Sequence, residues 1–244
     1  MSKGWGVMAA AILGLQLWAA PAAAEVFSID NRVLTIDPIP GYCALDRTND
    51  IERRFYGAVD SAVKAQAKLL GYWVDCEALK NFRAGTTADL NPHILVMANK
   101  KHGYVFETRY SRQELLNQTY EELTAALGSQ KFLAEVNDTT KAQLKKTIAD
   151  FTAASQSSAQ VGDTKFMGVM ERDADGIYFA QVQHIAIDQK ETILAGVTGT
   201  TKVKRFALNA TAYDVYADEQ TFLTLRERVA ATLRSLIAAN PADE

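Results

Sequence analysis

The last third of the sequence alternates apolar and polar residues with a period of two and then changes to a helical period. Residues Lys165–Glu171 and Ile177–Ile187 flank Asp173–Gly176, whose Asp-Gly pair is a strong signal for a tight turn between paired strands. A third strand is predicted over Thr201–Tyr216 and an amphipathic helix over Asp218–Ala239. Strands that alternate in polarity beside amphipathic helices predict an α+β fold, with an antiparallel or mixed sheet flanked by helices.

The first half of the chain also mixes helices and strands. Asn49 and Glu52 form a capping-box pair that predicts a helix start, with apolar residues at helical spacing as far as Leu70 and a C-terminal cap at Gly71. The first predicted strand runs over Glu25–Asp46, with a break at Pro38–Pro40. The other predicted elements are the strands Tyr72–Cys76, His93–Ala98 and Tyr104–Tyr110, the helices Glu77–Arg83 and Thr139–Ala154, a helix that starts at a Ser111–Glu114 capping box, and a polar loop over Ala153–Asp163.

The first 24 residues predict the compartment. Lys3 precedes an apolar stretch, and the small residues Ala22 and Ala24 provide a signal-peptidase site. We therefore expect 1–24 to be a signal peptide and 25–244 to be a single α+β domain in the periplasm or outside the cell. An uncleaved N-terminal anchor is the alternative, because the apolar stretch is nearly long enough to span a bilayer. Nothing later in the sequence approaches a second transmembrane segment.

The charge balance restricts the partners. The chain has 26 basic and 29 acidic residues, and loss of Lys3 with the signal peptide leaves the mature chain slightly more acidic. Nucleic acids bind to concentrated lysine and arginine, so this balance argues against a nucleic-acid partner. The basic clusters KKH at 100–102 and KVKR at 202–205 are short and typical of solvated turns or strand edges.

Cys43 and Cys76 are the only cysteines, and four chemistries are open to Cys43. A lipid anchor requires a cysteine at the first mature position, and Cys43 lies well beyond it. Structural zinc requires four close ligands, whereas the chain has two lone cysteines and three scattered histidines, His93, His102 and His184. A Cys43–Cys76 disulfide fits an oxidising compartment and an even cysteine count, and it would close a strand–helix–strand unit. No metal or cofactor is expected.

A cysteine hydrolase is the alternative use of Cys43. Cys43, His184 and Asn209 occur in the order that papain-like enzymes use. Such a thiolate is normally activated at a helix N-terminus beside a histidine, but the helix-start signal lies six residues later, at Asn49. The motif that surrounds the cysteine in those enzymes is missing, as are GxSxG and HExxH. The disulfide is therefore favoured, and a hydrolase with a Cys43/His184 site is kept as the alternative.

Two stretches resemble known proteins. GYCALD at 41–46, the helix after it, and YWVDC with EALKNFRAG at 72–85 resemble a group of secreted proteobacterial proteins that have no assigned activity. The C-terminal stretch 203–240, which starts VKRFALNATAYDVYADEQ, is similar to the last strand and helix of PsbP-like or Mog-like α/β/α sandwiches. This resemblance implies a sandwich architecture and a binding or accessory role, and it assigns no active-site residue.

The functional expectation combines these observations. We expect a periplasmic or secreted binding or accessory protein of the cell envelope that is not catalytic, and the secreted hydrolase is the alternative. Its partner is expected to be either another envelope protein or a small ligand. Tyr72 and Trp73 are expected in the core or at its rim, although an aromatic pair beside a helix cap could line a pocket.

Overall fold

The computed structural model describes residues 24–87, 89–127, 159–187 and 190–241, together with 134 and 138. The predicted signal peptide, apart from Ala24, and the helix predicted at Thr139–Ala154 lie outside these residues. The described strands are β1 (Glu25–Ile29), β2 (Arg32–Ile36), β3 (Tyr42–Ala44), β4 (Ala67–Asp75), β5 (His93–Lys101), β6 (Tyr104–Val105), β7 (Ala159–Arg172), β8 (Ile177–Ile187), β9 (Lys190–Val203) and β10 (Phe206–Val215). The described helices are α1 (Asp50–Val63), α2 (Cys76–Arg83), α3 (Arg112–Leu127) and α4 (Glu219–Ala239).

These strands form one large antiparallel sheet and a separate hairpin. The large sheet has eight strands in the order β3-β4-β5-β10-β9-β8-β7, with β6 paired to β5. Strands β1 and β2 pair only with each other, and both residues of the turn between them, Asp30 and Asn31, have positive φ angles of 45° and 65°. This turn geometry suits the right-handed twist of paired strands. The region predicted as a single strand before Pro38 is therefore two strands.

Helix α4 and the β1–β2 hairpin pack on one face of the sheet. Since side chains alternate across a strand, every second residue of β5 and β10 points to this face. The predicted apolar stripe of α4 is confirmed, because Leu225, Val229, Leu233 and Leu236 are almost fully buried against it. The sheet contributes, among others, Ile94, Val96, Ala98, Phe206, Leu208, Ala210 and Ala212.

Helices α1 and α2 cover the opposite face over β3, β4 and β5. Leu69, Tyr72 and Val74 of β4 and Leu95 of β5 are buried there against both helices. Because helices lie on both sides of a mostly antiparallel sheet, the predicted α+β fold with a sheet flanked by helices is confirmed.

Helix α1 is shorter than predicted. It begins at the expected cap, where Asn49 Oδ1 accepts the backbone N–H groups of Ile51 and Glu52, but it ends at Val63. Glu52 does not close the capping box on Asn49; its carboxylate accepts the backbone N–H of Asp46 at 2.7 Å. Gly71 is not a helix cap, since it lies inside β4.

Two further boundaries differ from the sequence prediction. The single strand predicted over Thr201–Tyr216 is the end of β9 and the whole of β10, which a tight turn at Lys204 (φ 52°) separates. The loop predicted to run to Asp163 ends earlier, because β7 already starts at Ala159. Strand β7 is therefore longer than the predicted Lys165–Glu171, and β10 is shorter than the strand predicted over Thr201–Tyr216.

Other predicted signals are confirmed by their hydrogen bonds. Ser111 and Glu114 exchange the two bonds of a capping box at 2.7 and 3.2 Å at the start of α3. In the β7–β8 turn, Asp173 Oδ1 accepts the backbone N–H groups of Asp175 and Gly176, each at 2.8 Å. This turn places the β7–β8 hairpin where the Asp-Gly pair predicted it.

Candidate functional site

A proline-rich loop connects the β1–β2 hairpin to the edge of the large sheet. The backbone N–H of Tyr42 donates to the carbonyl of Ile39 at 3.0 Å, which closes a four-residue turn. Pro40 and Gly41 occupy the central positions, and Gly41 has a φ angle of +81°. Proline followed by a residue with positive φ is the pattern of a type II turn, so glycine is required here. The turn directs the chain from the hairpin into β3.

The predicted Cys43–Cys76 disulfide is present. The two sulfur atoms are 2.03 Å apart, and the Cα atoms are 5.0 Å apart. Cys43 lies in β3 and Cys76 is the first residue of α2, directly after β4, so the bond closes the predicted strand–helix–strand unit. Asp75 Oδ1 caps α2 by accepting the N–H groups of Glu77 and Ala78, each at 3.0 Å.

A cleft opens between this loop and helix α4, directly beside the disulfide. Its volume is about 340 Å³, within the range of small-molecule sites. One wall is the loop itself, and the other is the exposed side of α4. The lining residues are Ile36, Asp37, Pro38, Ile39, Pro40, Gly41, Tyr42, Asp75, Arg228, Ala231, Thr232 and Ser235.

Three charged side chains line the cleft. The Asp37 Oδ2 atom accepts the Ser235 hydroxyl at 3.4 Å, which joins the loop to α4. The Arg228 Nη1 atom lies 3.5 Å from Asp214 Oδ2, and its guanidinium carbon lies 5.9 Å from the centre of the Tyr42 ring. Asp75 is the third, so the lining residues carry two carboxylates and one guanidinium.

The Tyr42 hydroxyl is an unpaired polar group at this cleft. Its oxygen is buried and makes no hydrogen bond within the part of the chain that the structure describes. Burial raises the pKa of Tyr42, while the nearby charge of Arg228 opposes the rise. The phenol therefore stays protonated at neutral pH and can both donate and accept a hydrogen bond.

A second group of polar and aromatic side chains lies on the α1/α2 face of the sheet. The His93 ring stacks between Tyr72 and Tyr213, with ring centres 5.0 and 5.1 Å away. Burial lowers the pKa of His93 to about 3, so it is neutral at physiological pH. The Gln181 amide donates to the Tyr213 hydroxyl at 2.7 Å. These groups are packed and hydrogen-bonded to one another, which is the arrangement of a supporting core.

The two aromatics singled out in the sequence do not share a pocket. Tyr72 and Trp73 are both buried, with 4% and 3% of their surface exposed. They are neighbours in β4, so their side chains point to opposite faces of the sheet. Tyr72 packs with the α1/α2 cluster and Trp73 with the α4 cluster.

The structure does not bring Cys43 and His184 together. Five strand spacings of about 4.8 Å separate β3 from β8, which places the two residues about 24 Å apart across the sheet. His184 and Asn209 also point to opposite faces of the sheet. The residues on either side of Asn209 in β10 pack under α4, so Asn209 points away from α4. Tyr178 also packs under α4, and His184 lies an even number of residues from it in β8, so His184 points to the α4 face. While the disulfide is intact, Cys43 has no thiolate to act as a nucleophile.

Within the described ranges, no cluster of three or more histidine, cysteine, aspartate or glutamate side chains is placed to hold a metal ion. None of the described helices combines the length and apolar character that crossing a bilayer requires.

Comparison with known proteins adds no assignment. No protein-family model matches the chain, and no curated protein sequence is significantly similar to it. The assignment of a site therefore rests on the geometry of the cleft.

The sequence patterns did not identify most of the cleft residues as members of a site. Asp37 and Arg228 lie near opposite ends of the chain, and only the packing of α4 against the hairpin brings them together. One local signal was available: the sequence Pro-Ile-Pro-Gly at 38–41 predicts a rigid turn next to a cysteine. A polar turn residue on a rigid loop is a common setting for binding residues.

Proposed function

We propose that this chain is a periplasmic or secreted binding or accessory protein of the cell envelope, not a catalyst, and that the cleft beside the disulfide is its ligand site. The observation that carries the proposal is the cleft itself, where the apolar residues of the proline-rich loop and helix α4 lie beside a few charged side chains. Binding sites of this kind combine mostly apolar walls with a few placed polar groups.

The compartment is supported by the disulfide. Disulfides persist in oxidising compartments and are rare in the cytosol, where thiols are kept reduced. The Cys43–Cys76 bond joins the only two cysteines of the chain. The signal-peptide pattern at 1–24 and the resemblance to secreted proteobacterial proteins support the same compartment. Fractionation of the native host with an antibody against the mature chain tests it, and a cytosolic protein would contradict the proposal.

Binding is favoured over catalysis because the polar groups of the cleft already serve the fold. Asp75 caps α2, Asp37 bonds to Ser235, and Arg228 faces Asp214. A catalytic site instead needs a nucleophile with an adjacent base, or a carboxyl group tuned to exchange protons. The described cleft residues include no serine–histidine or cysteine–histidine pair.

A titration with benzyl alcohol, followed by NMR of the mature protein, tests the site. We expect amide shifts that concentrate around Gly41 and Ser235, because a small aromatic alcohol can pack on the apolar loop and donate its hydroxyl to a lining carboxylate, Asp37 or Asp75. Ala231→Trp should abolish these shifts by filling the cleft. Ala238→Trp is the matched control, since Ala238 is exposed on the same helix and does not line the cleft.

Two results would overturn the site. One is a set of shifts that lies elsewhere or that survives Ala231→Trp. The other is the absence of any saturable shift at millimolar benzyl alcohol in a protein whose spectrum shows that it is folded.

A further inference from the structure

We infer that the cleft selects a primary ammonium group carried on a small apolar body. This inference rests on the proposed binding function and adds the chemical class of the ligand.

The charges around the cleft favour a cation. Asp37 and Asp75 line it directly, and Arg228 is the only basic lining residue. Arg228 is already opposed by Asp214, whose carboxylate oxygen lies 3.5 Å from the guanidinium. The cleft is therefore lined by two carboxylates and by one guanidinium whose charge Asp214 already balances. In a recess, a carboxylate attracts a cation more strongly than at a fully open surface.

The hydrogen-bonding groups favour a donor. Asp37 accepts Ser235 with Oδ2, and Asp75 accepts both α2 N–H groups with Oδ1. The other oxygen of each carboxylate has no hydrogen bond to a described residue. An ammonium group has three N–H donors and no acceptor, so it complements a wall of oxygens.

The loop provides the apolar part of the site. Pro38, Ile39 and Pro40 present aliphatic surface opposite Ala231 of α4. The volume of about 340 Å³ corresponds to about eleven water molecules at liquid density. A single aromatic ring or a short branched alkyl chain with one amine fits this space. Displacement of water from the proline surface would add to the attraction of the carboxylates.

An anionic ligand fits the same cleft poorly. It would place its charge near Asp37 and Asp75, and the guanidinium that could receive it already faces Asp214. Like charges brought together in a recess oppose binding. Ligands of similar shape but different charge therefore distinguish a cleft that prefers cations from one that does not.

Three isosteric probes separate these cases: benzylammonium, benzyl alcohol and benzoate. Each is titrated into the mature protein at low salt, and the Kd is taken from the amide shifts of Gly41 and Ser235. We expect benzylammonium to bind at least about tenfold more tightly than benzyl alcohol, equivalent to about 1.4 kcal/mol, and benzoate to bind more weakly than either.

A double variant, Asp37→Asn with Asp75→Asn, tests the source of the preference. Asparagine keeps an acceptor for Ser235 and is a good helix cap, so the fold is retained while both charges are removed. We expect this variant to lose the preference for benzylammonium over benzyl alcohol. Asp30→Asn with Asp89→Asn is the matched control; it removes the same charge at exposed sites outside the cleft and should keep the preference.

The outcomes separate this inference from the proposed function. Benzyl alcohol binding in the cleft without an advantage for benzylammonium would overturn the inference and leave the binding function standing. A preference that survives in the double variant would also overturn the inference. Failure of all three probes to bind in the cleft would overturn both.

Discussion

The backbone N–H of Cys76 donates to the carbonyl of Gly41 at 3.0 Å, so the turn that forms one wall of the cleft is held at the start of α2. Cys43 lies two residues after Gly41, and its sulfur is bonded to the Cys76 sulfur. The loop is therefore fixed to the β4–α2 junction by one covalent and one hydrogen bond. The same junction carries Asp75, which lines the cleft and caps α2. Stability and the shape of the cleft are coupled at this point.

Replacing both cysteines, Cys43→Ser with Cys76→Ser, should lower the free energy of unfolding by about 3–4 kcal/mol. The bond closes a loop with a sequence separation of 33, and constraint of the unfolded chain by a loop of this size gives that magnitude. Urea denaturation of the mature protein measures the loss. A reducing agent should lower the stability of the wild-type chain and leave the double variant unchanged. Equal midpoints for wild type and variant would contradict the structural role of the bond.

Gly71→Ala should destabilise the fold by about 1–3 kcal/mol through overpacking. A Cβ atom at this position would lie 2.0 Å from Trp73 Cη2, and the Trp73 ring is buried. Gly57→Ala is the contrasting substitution, because Gly57 lies inside α1 and a Cβ atom there would meet nothing within 4 Å. It should stabilise by about 0.5–1 kcal/mol, the helix preference of alanine over glycine. Thermal unfolding distinguishes the two signs, and a neutral Gly71→Ala would contradict the position of Trp73.

Acid should weaken the fold in part through His93. Its pKa is lowered from 6.5 to about 3 by burial, so below about pH 6.5 the unfolded chain binds a proton that the folded chain does not. Above that pH His93 is neutral in both states and does not change the free energy of unfolding. As the pH decreases from about 6.5 towards 3, the free energy of unfolding falls by up to about 1.4 kcal/mol per pH unit.

His93→Phe isolates this contribution. Phenylalanine keeps a flat ring between Tyr72 and Tyr213 and does not titrate, so the variant should lose less stability than wild type between about pH 7 and about pH 4. Urea midpoints at the two pH values provide the comparison. Parallel losses in both proteins would show that His93 is not held neutral by burial.

Arg83→Met should cost about 2–3 kcal/mol, somewhat less than for a fully enclosed pair because the arginine is partly exposed. Glu52 is fully buried, and both of its oxygens accept from Arg83, at 2.7 and 2.9 Å. Loss of the guanidinium leaves this carboxylate without its cation. The double variant Arg83→Met with Glu52→Gln should recover part of the loss, since the amide is neutral. A double-mutant cycle by chemical denaturation measures it, and strictly additive losses would contradict the pairing.

Much of the framework could be predicted because its signals are local. The stripe of Leu225, Val229 and Leu233 and the Asp-Gly turn at 175–176 each predict an element without reference to the rest of the chain. The errors occurred where a local signal was ambiguous. Leu70 continues the helical spacing of α1, yet it lies at a register shift in β4. The β9–β10 turn was missed because Lys204 adopts a positive φ angle without a glycine to indicate it.

The candidate site could be predicted only in part. The pairing of Cys43 with Cys76 followed from compartment and count, because no other cysteine was available. The cleft depends on the docking of α4 beside the loop, which sets Arg228 and Ser235 against residues near the start of the chain. No periodicity in the sequence indicates that α4 packs beside this loop. The hydrolase alternative failed to form a site for the same reason, since chain order does not reveal that β3 and β8 lie far apart in the sheet.

A crystal structure of the mature protein soaked with benzylammonium tests whether the cleft is a ligand site that selects a cation. We expect the ring against Pro38 and Pro40, and the ammonium nitrogen within about 3 Å of a carboxylate oxygen of Asp37 or Asp75. An open cleft without the probe, in crystals where the same site is accessible to solvent, would contradict this site. So would benzylammonium bound only at another surface.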